Sequence, residues 1–237
     1  MVIDVIETAG SIEKEKILDK TVLIIDVLRA TSVMTTALAN GVKAIYPYKD
    51  IESVLENSKK DTNPLLCGER KGLKIDGFDC GNSPLEYTKE LVANRNMYMT
   101  TSNGTRAIES CAKYAAKIYI VAFLNIQAIV EKIVSEDKDV VIVCSGTDDK
   151  FSFDDALCAG EIIKRATKIN QNIKCTDIAL ALKFIADSSK CIPETLKGCK
   201  HFEYLKSIGF EVDMEHCFTM DKYNIIPEYQ HGYIKLV

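Results

Sequence analysis

Continuous apolar runs alternate along this chain with segments in which apolar residues recur at helical spacing. Runs such as 22–25 and 139–144 are typical of strands that are buried on both faces of a sheet. Segments such as 51–58 have the three-to-four-residue spacing of an amphipathic helix. The alternation predicts an α/β fold with three layers, in which helices cover both faces of a largely parallel or mixed central sheet. No internal repeat or linker interrupts the pattern, so we expect a single domain over residues 1–237.

The individual elements follow from the same pattern and from the turn residues between them. The expected strands are 1–6, 22–25, 42–48, 65–67, 96–101, 117–122, 139–144 and 233–237. The expected helices are a segment ending at Asn40-Gly41, then 51–58, one starting at Ser83-Pro84, 102–115, 125–134, 153–166 and 176–186. Residues 68–84 have little periodicity and many glycines, and a loop this long in a compact domain is usually functional or disordered.

The richest stretch is the strand, loop and helix that begin at residue 22. Its loop presents Asp26, Arg29, Thr31 and Ser32 where open parallel sheets bind ligands, at the carboxyl end of a strand. Asp26 is a candidate metal ligand, and Arg29 is a candidate clamp for a phosphate or carboxylate. Thr31 or Ser32 can cap the helix, whose free N–H groups favour an anion. The alternative is a local ion pair between Asp26 and Arg29 followed by an ordinary helix cap.

Three further strand ends carry chemically useful side chains. They are Glu69 with Arg70 and Lys71, then Ser102, Asn103, Gly104 and Thr105 with Arg106, and last Ser145 and Gly146 followed by Asp154 and Asp155. If the strands are parallel, all four junctions lie along one edge of the sheet. Acidic residues suit a hard cation, while arginines and helix N-termini suit anions, so the set favours an Mg²⁺-dependent phosphate-handling site. Each junction alone also fits a plain turn, a helix cap or a solvated charged loop.

Composition and missing motifs exclude several other classes of protein. The net charge of −4 and the absence of a long basic run argue against nucleic acid as a partner. No apolar run approaches the length of a membrane span, and the N-terminus does not resemble a signal peptide. The nine cysteines form no C-x-x-C pair, which favours a reducing cytoplasm over a disulfide framework or a zinc site.

The nucleotide-binding and hydrolase fingerprints are missing as well. The chain has no G-x-G-x-x-G after a strand, no P-loop and no G-x-S-x-G elbow. No arginine follows a cysteine at the spacing of a cysteine-dependent phosphatase loop. His201, His216 and His231 lie in the least regular region of the chain, so we expect surface or core roles for them rather than catalysis.

Several motifs, in order, resemble the ComB family of 2-phosphosulfolactate phosphatases. They are DVLRATS at 26–32, GERKG at 68–72, FDCGNSP at 78–84, TTSNGT at 100–105, CSG at 144–146 and DDALCAG at 154–160. The likeness is characteristic up to about Gly160 and looser towards the C-terminus. It implies Mg²⁺-dependent hydrolysis of 2-phospho-3-sulfolactate to 3-sulfolactate and phosphate, a step of coenzyme M biosynthesis.

The resemblance implies specific roles for the residues at these strand ends. Asp26, Glu69 and Asp154 are the expected Mg²⁺ ligands, with Asp155 as the alternative to Asp154. The expected catalytic residues are Asp26, Arg29, Arg70 and Asp155. The expected substrate-binding residues are Thr31, Ser32, Lys71, Asn82, Ser102, Asn103, Gly104, Thr105, Arg106, Ser145 and Gly146. Whether water or Asp26 is the nucleophile stays open.

Other functions also remain possible at this point. They are hydrolysis of another small anionic phosphoester, an isomerase or lyase reaction, and non-catalytic binding of a sulfonate or phosphate. A homo-oligomer is a further possibility.

Overall fold

The computed structural model describes residues 1–237. Its strands are β1 (Val2–Ile6), β2 (Thr21–Ile25), β3 (Ala44–Tyr48), β4 (Leu65–Arg70), β5 (Leu73–Lys74), β6 (Asn96–Thr100), β7 (Lys117–Val121), β8 (Val140–Cys144), β9 (Lys174–Cys175), β10 (Pro227–Gln230) and β11 (Tyr233–Leu236). Its helices are α1 (Lys14–Ile17), α2 (Ala30–Ala39), α3 (Ile51–Ser58), α4 (Lys89–Val92), α5 (Gly104–Cys111), α6 (Ile126–Glu136), α7 (Phe153–Ile169), α8 (Asp177–Ser188), α9 (Ile192–Leu196), α10 (Lys200–Ser207) and α11 (Glu211–Cys217). None of the helices is both long enough and apolar enough to cross a bilayer.

All the strands join one mixed sheet in the order β5-β4-β6-β3-β11-β10-β7-β2-β8-β1-β9. Strands β4, β6 and β3 form one parallel block, and β7, β2, β8, β1 and β9 form another. The hairpin of β10 and β11 lies between them and pairs antiparallel with both. The predicted α/β fold with a largely parallel or mixed sheet is confirmed, although the short strands β5, β9 and β10 were not predicted.

The hairpin changes how the strand ends meet. Three successive antiparallel pairings separate the blocks, so the two blocks run in opposite senses along the hydrogen-bonded ladder. Strands β2 and β4 are six steps apart, which corresponds to roughly 29 Å in a flat sheet. Residues at both strand ends nevertheless line one cleft. The condition that all the strands are parallel is therefore not met, but residues from three of the four predicted junctions still line the same cleft.

Helices α2 and α5 pack against strands of both parallel blocks. One apolar cluster contains side chains of α2 and α5 together with side chains of both parallel blocks. A second cluster on the opposite face of β2 and β8 contains side chains of α6, α7 and α8. Every residue of β2 is buried, with Val22 and Ile24 in the first cluster and Leu23 and Ile25 in the second. The uninterrupted apolar run of β2 reflects this burial on both faces.

The start of α2 differs from the expected cap. The helix begins at Ala30, so Thr31 and Ser32 lie inside its first turn and neither is the cap. The Ala30 N–H instead donates to Asp26 Oδ1 at 3.2 Å. The Thr31 hydroxyl accepts from the Asp26 N–H at 3.1 Å, and the Ser32 hydroxyl donates to the Val27 carbonyl oxygen at 2.7 Å. The two hydroxyls thus hold the loop that carries Asp26.

A buried ion pair docks the C-terminal helices onto this loop. Arg29 is 2% exposed, and its Nη1 lies 2.5 Å from Asp213 Oδ2 in α11. Arg29 Nη2 donates to the Gly72 carbonyl oxygen at 2.8 Å, and Arg29 Cζ lies 3.7 Å from the ring centroid of Phe210. The other carboxylate oxygen of Asp213 accepts from the Ser83 hydroxyl at 2.8 Å. The alternative in which Arg29 pairs with Asp26 is therefore wrong, because the partner comes from the distant tail.

We predict that Asp213→Asn lowers the free energy of unfolding by about 3 kcal/mol, because it leaves a buried arginine without its counter-ion. Urea unfolding measures this loss. The control is Asp149→Asn, which removes an ion pair to Arg106 whose side chains are 39% and 53% exposed. That variant should change stability by less than about 1 kcal/mol. Equal losses in the free energy of unfolding for the two variants would contradict a stabilising role of the buried Arg29–Asp213 pair.

Candidate active site

A cleft of about 420 Å³ opens where the ends of β2, β4 and β6 face helix α10. Seven of the predicted site residues line it: Asp26, Arg29, Glu69, Lys71, Asn82, Ser102 and Asn103. The other lining residues are Leu28, Gly72, Thr147, Asp148, Lys200, His201, Tyr204 and Leu205. The cleft therefore combines the motif-rich strand ends with a helix from the C-terminal region.

Asp26 is the carboxylate best placed for chemistry. The residue is 7% exposed, and its Oδ1 accepts from the N-terminal N–H of α2. Its Oδ2 accepts no hydrogen bond from the protein and faces Gly104, the first residue of α5. A Cβ at Gly104 would lie only 2.8 Å from this oxygen, so the glycine permits α5 to begin against Asp26. One oxygen of Asp26 thus remains available to a ligand.

The surroundings of Asp26 make its negative charge costly. Burial, with a smaller contribution from the negative charges of Asp154 and Glu69, raises the pKa of Asp26 to about 6, although His201 and the Ala30 N–H act in the opposite direction. An acidic group in this situation gains from a cation or a proton brought next to it. This electrostatic imbalance favours a cation at the cleft.

Glu69 and Asp155 fasten the loops around the cleft. The Glu69 carboxylate accepts from the N–H groups of Gly72 at 2.8 Å and Ser102 at 2.7 Å. The Asp155 carboxylate accepts from Val27 at 2.9 Å and Gly146 at 3.0 Å. Burial and the charge of Asp154 nevertheless raise the pKa of Asp155 well above its usual range. Each carboxylate joins two chain segments, so both act first as supports of the site.

A histidine that the sequence analysis set aside lies in the cleft. His201 Nδ1 is 3.7 Å from Asp154 Oδ2 and 3.2 Å from the Thr147 hydroxyl. Burial disfavours the imidazolium, but the nearby carboxylate of Asp154 raises the pKa of His201 above its ordinary value. Burial likewise opposes ionisation of Asp154, whereas His201 and Ser152 lower its pKa. The two residues are far apart in sequence, and no motif spacing marked them as partners.

Several predicted residues support the site from behind rather than line it. Arg70 donates to the carbonyl oxygens of Glu69 and Lys49 and to the Thr100 hydroxyl. Arg106 pairs with Asp149 at the rim. The Thr105 hydroxyl accepts from the Thr101 N–H, and the Gly146 N–H binds Asp155. Ser145 is fully buried, and its hydroxyl has no hydrogen-bond partner.

The donor set limits how Mg²⁺ can be held. No three His, Cys, Asp or Glu side chains lie close enough together to form a ligand group. Mg²⁺ commonly uses one or two carboxylates and completes its octahedron with water and substrate oxygens. Asp26 fits such a role through its free oxygen, and Asp154 is close enough for its charge to act on Asp26. A cage of three carboxylates is not assembled in this structure, since Glu69 is engaged by two backbone N–H groups.

Comparison with known proteins gives one consistent result. The family model described as 2-phosphosulpholactate phosphatase matches residues 6–232. A probable 2-phosphosulfolactate phosphatase of Clostridium perfringens strain SM101 is 44% identical over 241 residues, covering 100% of this chain and 97% of that protein. The protein of the same name from Clostridium tetani is 45% identical over 236 residues, covering 99% of this chain and 100% of that protein.

The matched region contains the whole cleft, from the strand that carries Asp26 to the helix that carries His201. The relatives are covered over almost their full length, so the likeness is not confined to one motif. The resemblance inferred from the motifs is confirmed. This chain belongs to the 2-phosphosulfolactate phosphatase family.

Proposed function

We propose that this chain is an Mg²⁺-dependent phosphatase that hydrolyses 2-phosphosulfolactate to sulfolactate and phosphate in the cleft around Asp26. The observation that carries the proposal is the buried Asp26 carboxylate, which keeps one oxygen free at the N-terminus of α5. Membership of the family supports the choice of substrate. The cleft also contains cationic side chains, which an anionic phosphoester requires.

Different protein groups would act on the nucleophile and on the phosphate charge. Asp26 either orients the attacking water or attacks phosphorus itself, and the N-terminal dipole of α5 favours the phosphate charge beside it. Bound Mg²⁺ would neutralise phosphate charge and acidify a water. Mass spectrometry of a rapidly quenched single turnover would separate the two routes, since only direct attack phosphorylates the peptide that contains Asp26.

His201 is the candidate general acid for the leaving oxygen. Its Nδ1 faces Asp154 and Thr147, which leaves Nε2 for the substrate. The raised pKa of His201 favours a proton on the ring near neutral pH. A proton from Nε2 would stabilise the alkoxide oxygen of sulfolactate as it leaves.

The proposal is tested by phosphate release from a panel of small phosphoesters, with added Mg²⁺ and with EDTA. We expect fastest release from 2-phosphosulfolactate, loss of activity in EDTA and recovery on adding Mg²⁺. A ligand-induced rise in melting temperature without any phosphate release would contradict a catalytic function. Full activity in EDTA would contradict the metal requirement.

We predict that Asp26→Asn keeps the fold but lowers kcat/KM by at least about 100-fold, the scale of losing one preorganised catalytic group. Removing a charge that burial disfavours should leave the melting temperature unchanged or raise it. The matched control is Asp148→Asn, which neutralises another carboxylate of the same cleft and should retain most activity. An unfolded Asp26→Asn protein would favour a structural role for Asp26.

We also predict that Cys144→Ser retains most of the activity. Cys144 ends β8 next to the site, but burial and the charge of Asp155 raise the pKa of its thiol well above the usual range. Such a thiol is a poor nucleophile. Steady-state kinetics and circular dichroism of the variant check this, and a complete loss of activity with the fold intact would bring a thiolate mechanism back.

The remaining expectations concern the setting of the reaction. All nine cysteines are free in the structure, in keeping with the reducing cytoplasm expected from the sequence. A cytoplasmic location, a role in coenzyme M biosynthesis and a homo-oligomeric state stay predictions.

A further inference from the structure

Most of the positively charged side chains that the sequence suggested as substrate ligands already form ion pairs or hydrogen bonds within the protein. Arg29 pairs with Asp213, Arg70 binds carbonyl oxygens and Thr100, and Arg106 pairs with Asp149. Of that set, only the Lys71 ammonium lies in the cleft without an ion pair or hydrogen bond. A substrate with three anionic groups therefore needs a positive partner that the motifs did not reveal.

Helix α10 supplies such a partner. Lys200 lines the cleft, is exposed, and its ammonium forms no ion pair in the structure. It lies one helical turn before Tyr204, so the two side chains share a face of α10. The Tyr204 hydroxyl donates to the Lys71 carbonyl oxygen at 2.9 Å. This contact joins the helix that carries Lys200 to the loop that carries Lys71, and both lysines line the cleft.

A buried amide in the same cleft has no partner. Asn82 is 7% exposed, and its Oδ1 is fully buried without a hydrogen bond. Buried polar atoms in proteins are nearly always hydrogen-bonded, so this unpaired acceptor oxygen points to a ligand that brings a hydrogen-bond donor into the cleft. The next residue, Ser83, is bonded to Asp213, which fixes the chain that carries Asn82.

We propose that Lys200 is a specificity-determining residue that binds the sulfonate of the substrate together with Lys71. The inference rests on the proposed function, because it assigns one end of that substrate. The proposed function puts the phosphate at the N-terminus of α5, beside Asp26, so the two lysines remain for a second anionic group. A sulfonate offers three acceptor oxygens to separate donors, whereas a carboxylate offers two in one plane.

The test compares 2-phosphosulfolactate with 2-phospholactate, which lacks the sulfonate but keeps the phosphate and carboxylate. Lys200→Met should lower kcat/KM for 2-phosphosulfolactate about tenfold, mainly by raising KM, as for the loss of a charge-assisted contact. Values for 2-phospholactate should change less than about twofold. Lys200→Arg should restore most of the loss. The matched control is Lys197→Met, which removes an exposed lysine that does not line the cleft.

A loss of similar size on both substrates, or no loss on either, would overturn the proposal. Combining Lys200→Met with Lys71→Met adds a second criterion. The two effects on 2-phosphosulfolactate should not be additive if both residues bind one group, and independent effects would contradict a shared subsite.

Calorimetric binding of the product separates this inference from the proposed catalysis. Sulfolactate should bind the unmodified protein more tightly than lactate, and Lys200→Met should remove most of that preference. A preference that survives the substitution, or no preference at all, would overturn the sulfonate subsite whether or not hydrolysis occurs. A Lys200-dependent preference without phosphate release would instead overturn the proposed phosphatase activity and leave the subsite standing.

Discussion

The buried pair of Arg29 and Asp213 is the contact on which the cleft depends. Two charges removed from water cost several kcal/mol each unless they are paired and their remaining hydrogen-bonding groups are satisfied. Here the guanidinium also binds the Gly72 carbonyl oxygen and stacks on Phe210. The pair thereby joins the loop after β2, the loop after β4 and helix α11. The cleft exists because these three segments are held at fixed positions.

The buried carboxylates around the cleft differ in how many backbone N–H groups they bind. Glu69 and Asp155 bind backbone N–H groups of neighbouring loops, so their charges are stabilised by oriented dipoles. Asp26 has fewer such partners, and its pKa is raised to about 6, first by burial and then by neighbouring charges. Burial makes the charges of both Asp26 and Asp155 costly, but only Asp26 keeps one carboxylate oxygen without a hydrogen bond from the protein. That arrangement is typical of functional sites, where a ligand compensates the cost.

Local pattern was sufficient for the elements but not for their arrangement. The apolar runs predicted β2 and β8, and the helical spacing predicted α3 with its observed bounds, because burial sets the period of each element. The inserted hairpin of β10 and β11 reverses one block of strands, and no local signal in the tail indicates its position. Pairing across more than one hundred residues depends on tertiary contacts that a single sequence does not reveal.

The same holds for the candidate site: local motifs predicted some of its residues, whereas others depend on tertiary contacts. Asp26, Glu69, Lys71 and Asn82 were predicted from motifs and line the cleft, since each follows a strand or lies in the glycine-rich loop. The partner of Arg29 was missed, as were His201 and Lys200, because all three belong to C-terminal helices without a recognisable motif. Arg70 and Arg106 carry suitable charge, but local contacts hold them outside the cleft.

The most direct test of the central claim is hydrogen exchange, measured by mass spectrometry, with and without sulfolactate, phosphate and Mg²⁺. If the ligands bind between the motif-rich strand ends and α10, exchange should slow on ligand addition in peptides covering residues 69–72, 102–106 and 200–208. Protection confined to the separate cavity around Phe123 and Lys190, or unchanged exchange in α10 at saturating ligand, would contradict that claim.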